Sequence, residues 1–271
     1  MASELATISS NKIDQRFDRL QSAGRKALVC YVTAGHPDRA KSLDLMKGLE
    51  EAGADVLEIG VPFSDPIADG PVIQRASERA LKNRFGLAEI LAVVGRARSR
   101  ISTPIILFSY FNPLLQFGIE RLAKAAAEAG IDGVLVTDLI PEEAVEVAAQ
   151  FRAQGLDMIF LVAPTSTDVR LELIAKQASG FIYAVSRAGI TGTQETVSAE
   201  AEKLVGRVRR FSNLPVAVGF GISTRDQVAQ VQAFADAVVV GSAIVQEIER
   251  VAGSSDVASH IGKFAGALIP A

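Results

Sequence analysis

The chain has 271 residues, 49% of them hydrophobic and 22% charged, with a formal charge of −3 at pH 7. That size and balance exclude a disordered or fibrous protein and allow roughly three quarters of the extended-chain surface to be buried on folding. A near-neutral charge without a Lys/Arg stripe excludes an electrostatic nucleic-acid binder, and a single cysteine, Cys30, excludes an intramolecular disulfide or a cysteine-based zinc cluster.

Met1–Gln21 is polar with charges of both signs and does not read as a signal peptide. A helix is expected over Asn11–Ala23, ahead of the first strand, Ala27–Thr33. Short apolar runs then alternate with amphipathic ones. The strand candidates continue with Asp55–Gly60, Pro104–Ser109, Gly133–Thr137, Asp157–Val162, Phe181–Val185, Pro215–Gly219 and Ala235–Val240. Their continuous apolar character fits strands buried on both faces. Helical patterns fall at Arg39–Ala52, Ile119–Ala129, Glu142–Gln154 and Asp168–Ala178, and a last one at Val257–Ala267. Gly53, Gly130 and Gly155 stand where a left-handed cap ends a helix, and Ser223 or Thr224 suits an N-cap. Ala235–Val245, interrupted by Asp236, Gly241 and Ser242, is too short and broken to span a bilayer. Eight strand–helix units without a linker predict one (β/α)8 barrel domain over residues 1–271, with extra N-terminal and C-terminal helices. An open doubly wound sheet is the alternative, and the first strand is not followed by the Gly-x-Gly-x-x-Gly such folds use. The expected location is cytoplasmic.

In such barrels the site lies at the C-terminal strand ends. Glu58, inside Val56-Leu57-Glu58-Ile59-Gly60, is a carboxyl in an apolar strand. It must be paired, protonated or in use, and an apolar pocket raises its pKa into the range of a neutral-pH acid or base. A core ion pair is the competing reading. Eleven residues on, Asp69 lies in the loop Phe63-Ser64-Asp65-Pro66-Ile67-Ala68-Asp69-Gly70-Pro71. Either aspartate alone is turn chemistry, but beside Glu58 a pair of carboxyls set for proton transfer is expected. Gly219–Ser223 and Gly241–Ile244 follow the seventh and eighth strands, where bare amides at a helix start bind phosphate. Ser186–Gly192, with two glycines around polar residues, suits a lid. His36 and His260 read as ordinary surface or loop histidines. No metal is expected.

The segment Leu57–Pro71 resembles the hallmark of the tryptophan synthase alpha chain family. The resemblance extends to Tyr31–Gly35, Ser109–Pro113, Ser186–Gly192, Gly219–Ser223 and Gly241–Val245. It implies a TIM barrel that cleaves indole-3-glycerol phosphate by a retro-aldol reaction. Glu58 matches the glutamate that shuttles protons, and Asp69 the aspartate that meets the indole N–H. Tyr31, Phe108, Leu135, Leu161 and Phe220 match the indole pocket, Tyr183 the glyceryl end, Thr191 the lid threonine, and Gly192, Gly221, Gly241 and Ser242 the phosphate cradle. Cys30, His36, Thr137 and Ile140 depart from the family pattern, which bears on pocket shape and loop rigidity but removes no catalytic group. The resemblance further implies a beta-subunit partner in a heterotetramer of two alpha and two beta chains, docked through Pro62–Asp69 and Asn112. Pyridoxal phosphate would belong to that partner, with no organic cofactor in this chain. The alternatives are a stand-alone indole-3-glycerol-phosphate lyase and a non-catalytic phosphoester-binding barrel that activates a partner.

Overall fold

A computed structural model describes residues 11–185 and 199–270. In chain order, α1 (Lys12–Ser22) precedes β1 (Ala27–Thr33), and α2 (Lys41–Glu51) leads to β2 (Val56–Gly60). Two helices, α3 (Pro71–Lys82) and α4 (Leu87–Ala97), lie before β3 (Ile105–Ser109); α5 (Phe111–Phe117) and α6 (Ile119–Ala129) lie before β4 (Gly133–Val136). Then follow α7 (Val145–Ala153), β5 (Asp157–Val162), α8 (Asp168–Gln177), β6 (Ile182–Val185), α9 (Ala199–Val208) and β7 (Val216–Gly219). The chain ends with α10 (Arg225–Gln232), β8 (Ala237–Val240), α11 (Ser242–Arg250) and α12 (Val257–Ala267). All strand pairs are parallel, and β8 closes on β1, so the sheet is the predicted (β/α)8 barrel.

Alternation along each strand separates two cores. Outward residues such as Leu28, Cys30, Leu57 and Leu107 join the shell under the helices. Inward residues such as Val29, Val56, Ile106, Leu135, Ile159 and Val239 fill the barrel, which α1 plugs from below with Ile13, Phe17 and Leu20. Asn11 caps α1 by accepting from the Ile13 N–H at 3.0 Å, and its amide donates across the barrel floor to the carbonyls of Asp132 (2.6 Å) and Gly155 (3.0 Å). The plug is therefore stapled to the feet of β4 and β5, leaving the opposite end open.

The three expected glycine stops all adopt positive φ, +98° at Gly53, +85° at Gly130 and +74° at Gly155. At α10, Thr224 is the N-cap, in a capping box with Gln227, while the Ser223 N–H is bound by the Gln227 side chain. His36 needs correction. It lies in the loop after β1, but it is buried and not on the surface, with both ring nitrogens free of hydrogen bonds. Burial and the nearby Arg79 charge push its pKa down to about 4, so the ring is accommodated as a neutral group. His260 is exposed and meets Glu247 at 2.6 Å. Among the described residues no helix is long and apolar enough to cross a membrane.

Candidate active site

A cavity of about 340 Å³ opens at the C-terminal ends of the strands. Glu58, Asp69, Tyr31, Phe108, Tyr183, Phe220, Gly221, Gly241 and Ser242 all line it. Ser223, from the expected phosphate turn, lines it as well, as do Ile73 and Gln246, which the sequence did not single out. Leu135 and Leu161 point into the barrel but are not among the residues lining the cavity. They pair in register with Phe108 and Tyr183 respectively, which do line it. Thr191, Gly192 and the rest of the proposed lid lie outside the described residues.

Glu58 sits in mid-strand on β2, in register with Tyr31 of β1 and Ile106 of β3, so it points inward. It is 1% exposed, and its Oε1 has no hydrogen-bond partner. Among the described residues no lysine or arginine pairs with it, which disposes of the core ion pair there. Burial alone pushes its pKa up to about 8, so the group keeps its proton at neutral pH.

Asp69 ends the loop between β2 and α3. The loop is braced by Ile67 N–H to Asp65 O (2.9 Å), Asp69 N–H to Pro66 O (3.0 Å) and the Gln74 side-chain amide to Asp69 O (2.9 Å). Burial raises the Asp69 pKa to about 6, against a hydrogen bond from the Tyr110 hydroxyl that favours the ionised form. Two carboxyls on one cavity are thus held in different protonation states near pH 7, which is how an acid and a base are assigned.

The aromatic walls depend on two glycines. Tyr31 packs edge-to-face on Phe108, with centroids 5.3 Å apart at 78°, and its hydroxyl lies where a Cβ on Gly60 would be 2.1 Å away. The Tyr183 hydroxyl lies equally close, 2.1 Å, to a Cβ built on Gly219. Strands β2 and β7 end in glycine so that two tyrosines can lie across the barrel mouth.

Two helices begin at the cavity, and they differ. At α10 three of the amides around the helix start are claimed: Gln227 Oε1 accepts from Ser223 N–H (2.8 Å) and Thr224 N–H (3.2 Å), and Thr224 Oγ1 from Gln227 N–H (3.3 Å). At α11 the N-cap is Gly241, which has no side chain to offer, so the first-turn amides remain available. With the helix dipole behind them, these amides and the Gly221 turn on the same cavity have the character that suits an anion. Among the described residues no group of three or more His, Cys, Asp or Glu is placed to hold a metal.

Comparison with known proteins agrees with this geometry. Residues 17–266 match the family model for the tryptophan synthase alpha chain. The tryptophan synthase alpha chain of Geobacter sulfurreducens is 49% identical over 258 residues, 95% of this chain and 97% of that one. That of Solibacter usitatus is 48% identical over 253 residues, 93% and 95% of the two chains. Among solved structures, tryptophan synthase subunit alpha from Legionella pneumophila superposes with a TM-score of 0.89 at 38% identity, covering 96% of this chain and 97% of that one. A chain of the aminoacrylate-bound tryptophan synthase from Mycobacterium tuberculosis superposes with a TM-score of 0.85 at 36% identity, covering 96% and 100%. With this likeness spread over nearly its whole length, the chain belongs to the tryptophan synthase alpha chain family.

Proposed function

We propose that Glu58 and Asp69 carry out the alpha reaction, the retro-aldol cleavage of indole-3-glycerol phosphate to indole and glyceraldehyde 3-phosphate, as an acid–base pair in the barrel mouth. The chain is a lyase of tryptophan biosynthesis. The observation that carries the assignment is the pair of cavity carboxyls with unequal proton affinities, about 8 for Glu58 and about 6 for Asp69.

The phosphate sits on the α11 amides and the Gly221 turn, and the indole ring lies among Tyr31, Phe108 and Phe220. Glu58 delivers its proton to indole C3 while the Asp69 carboxylate takes up the N1 proton, giving an indolenine. Glu58, now ionised, removes the proton from the hydroxyl on the carbon bonded to C3. That carbon becomes the aldehyde as the C–C bond breaks, and the bonding pair returns to the ring. Asp69 hands the proton back to N1. Both carboxyls end as they began, so the step is balanced and catalytic. Thr191 and Gly192 complete the site in this reading, as lid and phosphate contacts, and Leu135 and Leu161 shape it from beneath.

Family membership implies a beta-subunit partner. We assign docking to Pro62–Asp69 and Asn112, because exposed apolar side chains stand on these two segments. Ile67 is 78% exposed and Leu115 on α5 is 54% exposed, while Phe63 and Tyr110 stack between the segments at 5.0 Å. An assembly of two alpha and two beta chains, pyridoxal phosphate confined to the beta chain, a single cofactor-free barrel domain here and a cytoplasmic location belong to the same reading.

Turnover is the test. Glu58→Gln loses at least ~10²-fold in kcat, the lower range for a general acid–base group, while still binding substrate. Near-wild-type indole release from that variant rules the assignment out. Acceleration of the isolated chain by added beta subunit separates a partnered alpha chain from a stand-alone lyase.

A further inference from the structure

Asp69 is on a loop, and a loop is a poor platform for a group that must meet one N–H of a bound ring. Its rigidity is borrowed from the top of β3. Tyr110, 3% exposed, follows the last residue of that strand and is the N-cap of α5. Its backbone is fixed on both sides: the Ser109 hydroxyl donates to the Tyr110 carbonyl at 2.8 Å, and the Phe111 N–H donates to Asp138 Oδ1 at 2.6 Å. Its ring stacks on Phe63 from the same loop as Asp69, at 33°. Its hydroxyl accepts the Ala68 N–H at 2.9 Å, and it lies close enough to the Asp69 carboxyl to favour the ionised form of that group. Accepting the Ala68 N–H leaves the hydroxyl's own proton to turn toward that carboxyl.

We propose that Tyr110 is a positioning residue for the reaction, its hydroxyl clamping the Ala68–Asp69 segment and holding the Asp69 carboxylate ionised and aimed into the cavity. The proposal rests on the reading of Asp69 as the group that meets the indole N–H.

Several other groups bear on this carboxyl and could confuse a titration. The Tyr31 hydroxyl on β1 feels the charges of both Asp69 and Glu58, and Asp138 past β4 acts on Tyr110 from behind. Asp65 lies in the same loop, and α3 presents the uncharged Gln74 amide. Both tyrosine hydroxyls are raised above their ordinary range by burial, so neither ionises in the working range. Near neutrality that leaves Glu58 and Asp69 to titrate in the cavity, with the acid limb of the kcat profile belonging to Asp69 and the alkaline limb to Glu58.

Tyr110→Phe keeps the ring on Phe63 and removes the clamp. Hydrogen bonds to charged groups have a strength that corresponds to a shift of about 1–2 pH units when one is lost. In the full chain labelled with 13C at the aspartate carboxyls, with the Asp69 signal identified from Asp69→Asn, the Asp69 midpoint moves up by that amount from near 6. The acid limb of kcat moves with it, the alkaline limb stays, and KM changes less than about threefold, since the α11 phosphate contacts are untouched. An Asp69 midpoint unchanged in Tyr110→Phe overturns the role of Tyr110 and leaves Asp69 as assigned. Wild-type turnover by Asp69→Asn overturns the reading underneath, whatever the titration gives.

Discussion

Replacing Glu58 by glutamine is expected to stabilise the fold as it destroys the activity, and the stability change has a definite pH signature. Glu58 titrates at about 8 when folded, against an ordinary 4.5. A carboxyl raised in this way contributes stability that is fully present below pH 4.5 and is lost as pH rises through the folded value, because the unfolded chain ionises first. At ~1.36 kcal/mol per unit, the wild type has lost about 3 kcal/mol by pH 7 and approaches a loss of about 5 kcal/mol above pH 9. Glutamine has the same shape and no charge to desolvate, and the unpaired oxygen is common to both side chains. The variant should therefore match the wild type near pH 4.5 and exceed it by about 3 kcal/mol at pH 7, or roughly 5–10 °C in Tm for a chain of this size. Urea unfolding of both proteins at stepped pH measures it. A gap that does not change with pH, or no gap at pH 8, would refute the claim that Glu58 is buried without a counter-charge.

Other consequences follow from the same structure. Gly219→Ala drives a methyl into the Tyr183 hydroxyl, built at 2.1 Å, and should cost about 1–3 kcal/mol and weaken substrate binding. Adding Tyr183→Phe restores part of the stability in a double-mutant cycle, and strict additivity of the two changes would contradict the contact. Gly221→Asp places a carboxylate and a side chain at φ +76° beside the anion site; KM for phosphorylated substrate should rise while affinity for an unphosphorylated analogue holds. Equal loss for both ligands would point to general damage. At the barrel floor, burial raises Asp157 to about 7 and leaves its Oδ2 unpaired. By the same sign argument stability falls as pH climbs from about 4 to 7, and Asp157→Asn removes that fall, gaining on the order of 2–4 kcal/mol at pH 8 with no change in turnover. Denaturation curves of the two proteins that stay parallel across this range would count against it.

The strands were legible because a barrel strand is buried on both faces, and each observed strand lies within its expected run, trimmed by at most two residues at an end. Glu58 was legible because a charge in such a run must be explained. The paired helices α3 and α4 were not anticipated: Pro71, read as the end of the Phe63–Pro71 loop, opens α3 at a position where a missing N–H is harmless. Tyr110 was visible only as part of a motif, since its partner Ala68 is 42 residues away and no periodicity links them. Gly60 and Gly219 looked like strand ends. Their requirement comes from hydroxyls on neighbouring strands, which only the register brings into place. His36 reads as a surface or loop residue, and nothing local signals that its loop is buried.

The proposed chemistry needs one proton held in an apolar barrel, and infrared difference spectroscopy sees that proton directly. The wild-type spectrum minus that of Glu58→Gln should carry a protonated-carboxyl C=O band at pH 7 that fades with a midpoint near 8. Subtracting the variant removes Asp157, a second carboxyl raised to about 7, from the comparison. A difference spectrum that already shows ionised carboxylate at pH 6 would contradict the account.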